Sequence, residues 1–159
     1  MSLAHPLAPL VAPSCAKYPQ QGAALFQAFV DLSLAQQWRD VQVIDLEECN
    51  CAVVRGRPKL PKKAPPAVVY PMGLITPTSL EALSAVLAAV SRRFPSSSSP
   101  SPAVADPSAP APSPAPAQAA TPVQDANAPM IYLAVVEKDA SIVYYVLRDG
   151  IVSPKEVPE

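Results

Sequence analysis

The chain has 159 residues and a formal net charge of −1, which suits one ordinary domain and argues against a free-standing nucleic-acid binder, whose domains run strongly basic. No apolar run approaches the roughly 18 residues of a membrane helix, so no membrane partner is expected. The start "MSLAHPLAPLVAPSCA" lacks a basic n-region and is interrupted by Pro6, Pro9 and Pro13, which excludes a secretory signal and reads as a disordered head over residues 1–17.

From Tyr18 the pattern changes. "QQGAALFQAFVDLSLAQQW" predicts a helix over Gln20–Trp38, with Phe26, Phe29, Val30 and Ser33 on one face and Leu25 and Leu32 on its flank. In "DVQVIDLEECNCAVV" the apolar residues alternate, predicting a strand through Val41–Leu46, a turn near Glu47–Asn50 and a second strand over Cys51–Val54. "AVVYPM", Ala67–Met72, is a third strand. "TSLEALSAVLAAVSRRF" predicts a capped helix, with Thr78 and Glu81 as a capping box and Leu80, Leu83, Leu87, Val90 and Phe94 as its buried stripe.

Ten of the 22 prolines then fall in residues 95–129, a stretch without Gly, aromatic, Lys or Arg. Such composition cannot bury enough surface to offset a backbone ordering cost of about 1–2 kcal/mol per residue, so it reads as a disordered Pro/Ser/Ala insert. Beyond it, "MIYLAVVEKDASIVYYVLRDG" predicts a hairpin turning at Glu137–Ala140, with a short extension to residue 153 and a tail over 154–159. The domain therefore comprises residues 18–94 and 130–153: α/β, with a largely antiparallel or mixed sheet of about five strands and flanking helices. Its last strand has an unusual composition. Ile142, Tyr144 and Val146 face one way and Val143, Tyr145 and Leu147 the other, so both faces of the strand call for cover.

Catalytic signals are sparse. The single histidine, His5, lies in the head, without a scaffold to orient it as a general base. There is no Gly-rich phosphate loop, no G-x-S-x-G and no H-E-x-x-H. Asp45, Glu47 and Glu48 read as a solvated turn. Cys15, Cys49 and Cys51 lack zinc-knuckle spacing and read as reduced thiols, so no metal and no cofactor are expected. One basic cluster stands out in "RGRPKLPKK": Arg55, Arg57, Lys59, Lys62 and Lys63, kept extended by Pro58 and Pro61. It is a candidate RNA contact of the phosphate-backbone kind, with a nuclear-import tag or plain solubilising charge as alternatives.

"VEKDASIVYYVLRDG", Val136–Gly150, resembles the C-terminal signature of the small structural subunit, numbered fifteen, of the eukaryotic tRNA-splicing endonuclease: an acidic turn, Ser or Thr, an aliphatic pair, a double tyrosine and a polar step to Asp-Gly. "QQWRDVQV" and "AVVYPM" with the following helix are similar to other passages of that family, and the insert suggests a fungal-type member. The resemblance implies a nuclease-like domain of the tRNA-intron endonuclease type. Catalytic relatives use Tyr, His and Lys to leave a 2′,3′-cyclic phosphate; a chain with no histidine in its foldable part fits the family's non-catalytic subunits. It further implies nuclear localisation (with mitochondrial-surface association in some fungi), and precursor tRNA as an indirect or weak partner. The catalytic subunit would pair through Ile142, Val143, Tyr144, Tyr145, Val146 and Leu147, and a companion dimer would dock through the acidic loop of Glu137 and Asp139. The isolated chain is a candidate homodimer. Two other readings stand beside this one: a ribonuclease acting through Tyr144 or Tyr145, and a hairpin-dimerising adaptor with a proline-rich arm.

Overall fold

The computed structural model describes residues 5–95 and 130–148; the insert, the C-terminal extension and the tail lie outside the described residues. Five strands form one mixed sheet in the order β1-β2-β3-β4-β5: β1 Arg39–Leu46, β2 Cys51–Arg57, β3 Ala67–Gly73, β4 Met130–Val136 and β5 Ile142–Arg148. All neighbours are antiparallel except β3 and β4, which run parallel. That parallel step requires a crossover, and α3 (Leu80–Arg93) lies on it.

Helices cover both faces. On one, α1 (Ala8–Lys17), α2 (Pro19–Val30) and the turn after it bury Val11, Leu25, Ala28, Phe29 and Leu32 against Ala52, Val54, Val69 and Ala134. On the other, α3 buries Val86, Leu87 and Val90 against Leu46, Val53, Val68 and Ile131. Central strands buried on both faces carry the near-continuous apolar runs that the sequence shows.

Several expectations are corrected. The head is not loose: residues 8–17 form α1, with Val11 fully buried. His5 is also placed, its Nδ1 accepting the Leu7 N–H at 3.2 Å and its ring edge-on to Phe26. Pro9 falls in the first turn, where a backbone donor has no intrahelical partner, so it opens the helix rather than breaking it. The helix expected to reach Trp38 ends α-helical geometry at Val30, continues as a π-turn over Asp31–Ala35, and leaves through Gln37 at φ 53° with the Trp38 N–H bonded to the Leu32 carbonyl. The buried stripe of α2 is Gln21, Leu25, Ala28 and Phe29, with Val30 half-buried.

In α3 the cap is Ser79, whose hydroxyl accepts the Ala82 N–H at 3.1 Å, rather than Thr78, so no capping box with Glu81 forms. Leu80 is exposed with the rest of the first turn of α3, and the stripe is carried by Val86, Leu87, Ala89 and Val90. The turn carboxylates are not simply solvated. Lys17 binds Asp45 and Glu47 at 3.3 and 2.5 Å, and Arg92 binds Glu48 at 3.0 Å. These pairs tie α1 and α3 to the β1–β2 turn.

Candidate functional site

Among the described residues β5 is the last strand of the sheet and is paired on one side only, in register Val136↔Ile142 to Met130↔Arg148. Which backbone groups it leaves free follows from the hairpin. The Glu137 N–H bonds the Ser141 carbonyl at 2.9 Å, while the Val136 carbonyl points the other way and accepts the Leu74 N–H at 2.9 Å. Along an antiparallel pair, bonded and non-bonded positions alternate. The N–H and C=O groups of Val143 and Tyr145 therefore face β4, and those of Ile142, Tyr144 and Val146 face the open edge.

The side chains of β5 divide unequally. Ile142 and Tyr144 pack on the α1–α2 side and Leu147 under α3. Val143, Tyr145 and Val146 stay 51%, 56% and 55% exposed. α3 reaches Ile131 and Leu147 at one end of the β4–β5 pair; toward the hairpin Leu133 and Val135 are half-buried and Val143 and Tyr145 exposed. Exposed Leu74 and Ile75 extend the same end. These side chains form an apolar cluster that is open to solvent in part. The six β5 residues singled out from the sequence therefore do two jobs: Ile142, Tyr144 and Leu147 belong to this domain's own packing, whereas Val143, Tyr145 and Val146 are presented outward.

Tyr144 is held by a residue that sequence reading did not single out. Its hydroxyl donates to Asp31 Oδ2 at 2.7 Å, and Gln36 Nε2 donates to the same oxygen at 2.8 Å. Burial, followed by the Asp31 carboxylate, pushes the phenol well above the usual tyrosine range. A phenol so placed is not poised to exchange a proton at neutral pH.

The hairpin turn is a three-residue loop. The Ala140 N–H closes a turn onto the Glu137 carbonyl at 3.0 Å, and Ala140 itself sits at φ 68°. Asp139 Oδ1 accepts both the Ser141 N–H at 2.9 Å and its hydroxyl at 2.5 Å, and the hydroxyl bond first of all holds the carboxyl below the ordinary range. Of the two acidic-loop residues, Asp139 thus serves the turn while Glu137 is exposed and makes no ion pair among the described residues.

The basic cluster is also redistributed. Arg55 lies over the Phe94 ring at 4.5 Å and belongs to the α3 face. Arg57 is exposed at the end of β2, and Lys59, Lys62 and Lys63 are exposed on the β2–β3 connection. That connection folds back on the start of β1: Lys59 Nζ donates to Gln37 Oε1, and Arg39 donates to the Lys62 carbonyl at 3.0 Å. Arg39 thereby joins the cluster, placed by the fold and not by proximity in sequence.

A cleft of about 320 Å³ lies where α1 meets α2, lined in part by Lys17, Tyr18, Cys49, Cys51 and Tyr70. Burial pushes both thiols up, Cys51 to about 12, so neither is an activated thiolate. All three cysteines are free, and no cluster of three or more metal-binding side chains occurs among the described residues.

No curated protein matches the chain significantly. A family model described as Sen15 protein matches residues 27–101 and 117–158. These intervals contain the last turn of α2, all five strands and α3, and the residues between them lie inside the Pro/Ser/Ala stretch. With most of its length and its whole sheet matched, the chain belongs to the Sen15 family and is a subunit of the tRNA-splicing endonuclease.

Proposed function

We propose that this subunit is non-catalytic and acts by adding the free edge of β5 to the sheet of a catalytic partner, so that the two sheets run continuously across a heterodimer. The observation that carries the reading is the open backbone edge of Ile142, Tyr144 and Val146 beside exposed Val143 and Tyr145. Main-chain bonds supply the pairing and alternate side chains its specificity. The absence of a catalytic role is supported by the tyrosines and the histidine. Tyr144 is tied to Asp31, and His5 is engaged at the start of α1. The hairpin turn, with Glu137 exposed at its base, docks on the companion dimer of a heterotetramer. Precursor tRNA is the substrate of the assembled, nuclear complex rather than of this chain, and when isolated the chain pairs with a second copy through the same edge.

The test is co-expression with candidate catalytic subunits, followed by affinity purification. Val146→Pro removes an outward donor without touching the β4 ladder, a position where an edge strand tolerates proline. Tyr145→Ala removes an exposed anchor; interface tyrosines carry about 2 kcal/mol or more, roughly a 30-fold loss in affinity. Both variants should stay folded by circular dichroism and lose the partner. Undiminished co-purification of both would refute the pairing, and cleavage of an intron-containing precursor tRNA by the purified chain alone would refute the non-catalytic role.

A further inference from the structure

The corner of the sheet diagonally opposite the hairpin carries a concentrated positive charge that the β5 reading does not use. Arg39 and Arg57 are register partners across β1 and β2, and like charges so placed repel unless an anion lies between them. A bulge between Arg39 and Gln42, with Asp40 at φ 54°, brings one carboxylate to Arg57, but only to 3.9 Å and with both groups largely exposed. The β2–β3 connection then adds Lys59, Lys62 and Lys63, all exposed. Five cations thus face one acid, in a chain whose formal net charge is −1. Three carboxylates elsewhere are paired more closely: Asp45 and Glu47 by Lys17, Glu48 by Arg92. The ammonium groups of Lys62 and Lys63 make no hydrogen bond or ion pair among the described residues.

We infer that this corner, Arg39, Arg57, Lys59, Lys62 and Lys63, is a phosphate-backbone contact for the precursor tRNA within the assembled endonuclease. Three features favour RNA over a protein partner. Lysine is depleted at protein–protein interfaces, which need an apolar centre, and among these cations Leu60, 73% exposed, is the one large apolar side chain open to solvent among the described residues. Lysines and arginines on an extended loop suit the repeated, sequence-independent charges of a nucleic-acid backbone. The location is also compatible with assembly. β1 lies four strand spacings, about 19 Å, from β5, and the corner is at the opposite end of the strands from the hairpin. A ligand there leaves the β5 edge free. Arg55 is excluded from the contact because its guanidinium is spent on Phe94.

This inference rests on the subunit reading for its choice of RNA, and its test separates the two. Precursor tRNA binding is measured as a function of salt for the complex containing wild-type chain or the triple variant Lys59→Ala, Lys62→Ala, Lys63→Ala, with co-purification of the catalytic subunit scored separately. The variant should assemble normally, bind roughly tenfold more weakly, and show a log–log salt slope shallower by about 2–3, near 0.7–0.9 per lost phosphate contact. Unchanged affinity and slope would overturn the proposal, and so would loss of the catalytic subunit, which would make the corner a protein contact. Should the wild-type chain assemble with no catalytic subunit, the pairing reading fails; the same salt titration on the isolated chain then decides the RNA contact alone. There, equal binding by wild type and variant would overturn it.

Discussion

Gln21 supplies the backbone bonds that Pro71 cannot make. The β2–β3 ladder runs Gly56↔Ala67, Arg55↔Val68 and Val54↔Val69; continued, it sets Ala52 opposite Pro71, which has no N–H to donate. The buried Gln21 amide enters at that point. Its Nε2 donates to the Ala52 carbonyl at 2.8 Å and the Pro71 carbonyl at 2.7 Å, and its Oε1 accepts the Ala52 N–H at 2.8 Å. A proline in a central strand is tolerated here because a helix side chain takes its place in the ladder.

Replacing Gln21 with Leu keeps the size of the side chain and strands three buried polar groups. At about 1–3 kcal/mol for each group left unsatisfied, a loss on the order of 3–5 kcal/mol is expected in urea unfolding. Gln20→Ala, one position away and exposed, should change stability by less than about 0.5 kcal/mol. Equal effects at the two positions would contradict the assignment.

Ala140 occupies a left-handed position, φ 68°, that three-residue hairpin loops ordinarily give to glycine. Ala140→Gly should therefore stabilise the chain by about 0.5–1 kcal/mol. A thermal melt that falls instead would mean the loop adopts another geometry.

Tyr144→Phe removes the bond to Asp31. Hydrogen bonds to charged groups contribute about 1.5–3 kcal/mol, and that much stability should be lost. Asp31→Asn, with the phenol intact, should lose less, since an amide oxygen still accepts. Because the tyrosine acts within the fold, Tyr144→Phe in the assembled endonuclease should leave the rate of precursor tRNA cleavage unchanged at a temperature where the variant is folded.

Cys51 is pushed from 9.0 to about 12, by burial first and the neighbouring Cys49 second. The unfolded chain loses this proton near pH 9 while the folded chain keeps it. The contribution is therefore complete below pH 9 and is lost as pH rises toward 12, with a slope of up to about 1.4 kcal/mol per pH unit. Urea unfolding between pH 8 and 10 should show this decline, and Cys51→Ala should flatten it. A decline of equal slope in the variant would assign the effect to other groups.

The sequence by itself determined the element types and the family. Alternation in Val41–Leu46, the apolar runs of β2, β3 and β4, and the Ser141–Leu147 strand were legible because strand burial writes a local pattern. The hairpin was legible because its turn residues are contiguous. The tertiary structure decided the rest, where the reason lies far off in the chain. α1 looked like a proline-broken head, yet Val11 enters the core and Ser14 and Lys17 bind Asp45; contacts more than 25 residues away outweigh one proline inside a short helix. Nothing near Pro71 announces Gln21, and nothing near Arg57 announces Arg39, because each pair meets only when strands are laid side by side. The two-sided apolar β5 could equally have been a central strand. Only the order of the sheet placed it at an edge, since local sequence encodes what a strand buries on its faces but not whether its last row of backbone groups meets another strand or open water.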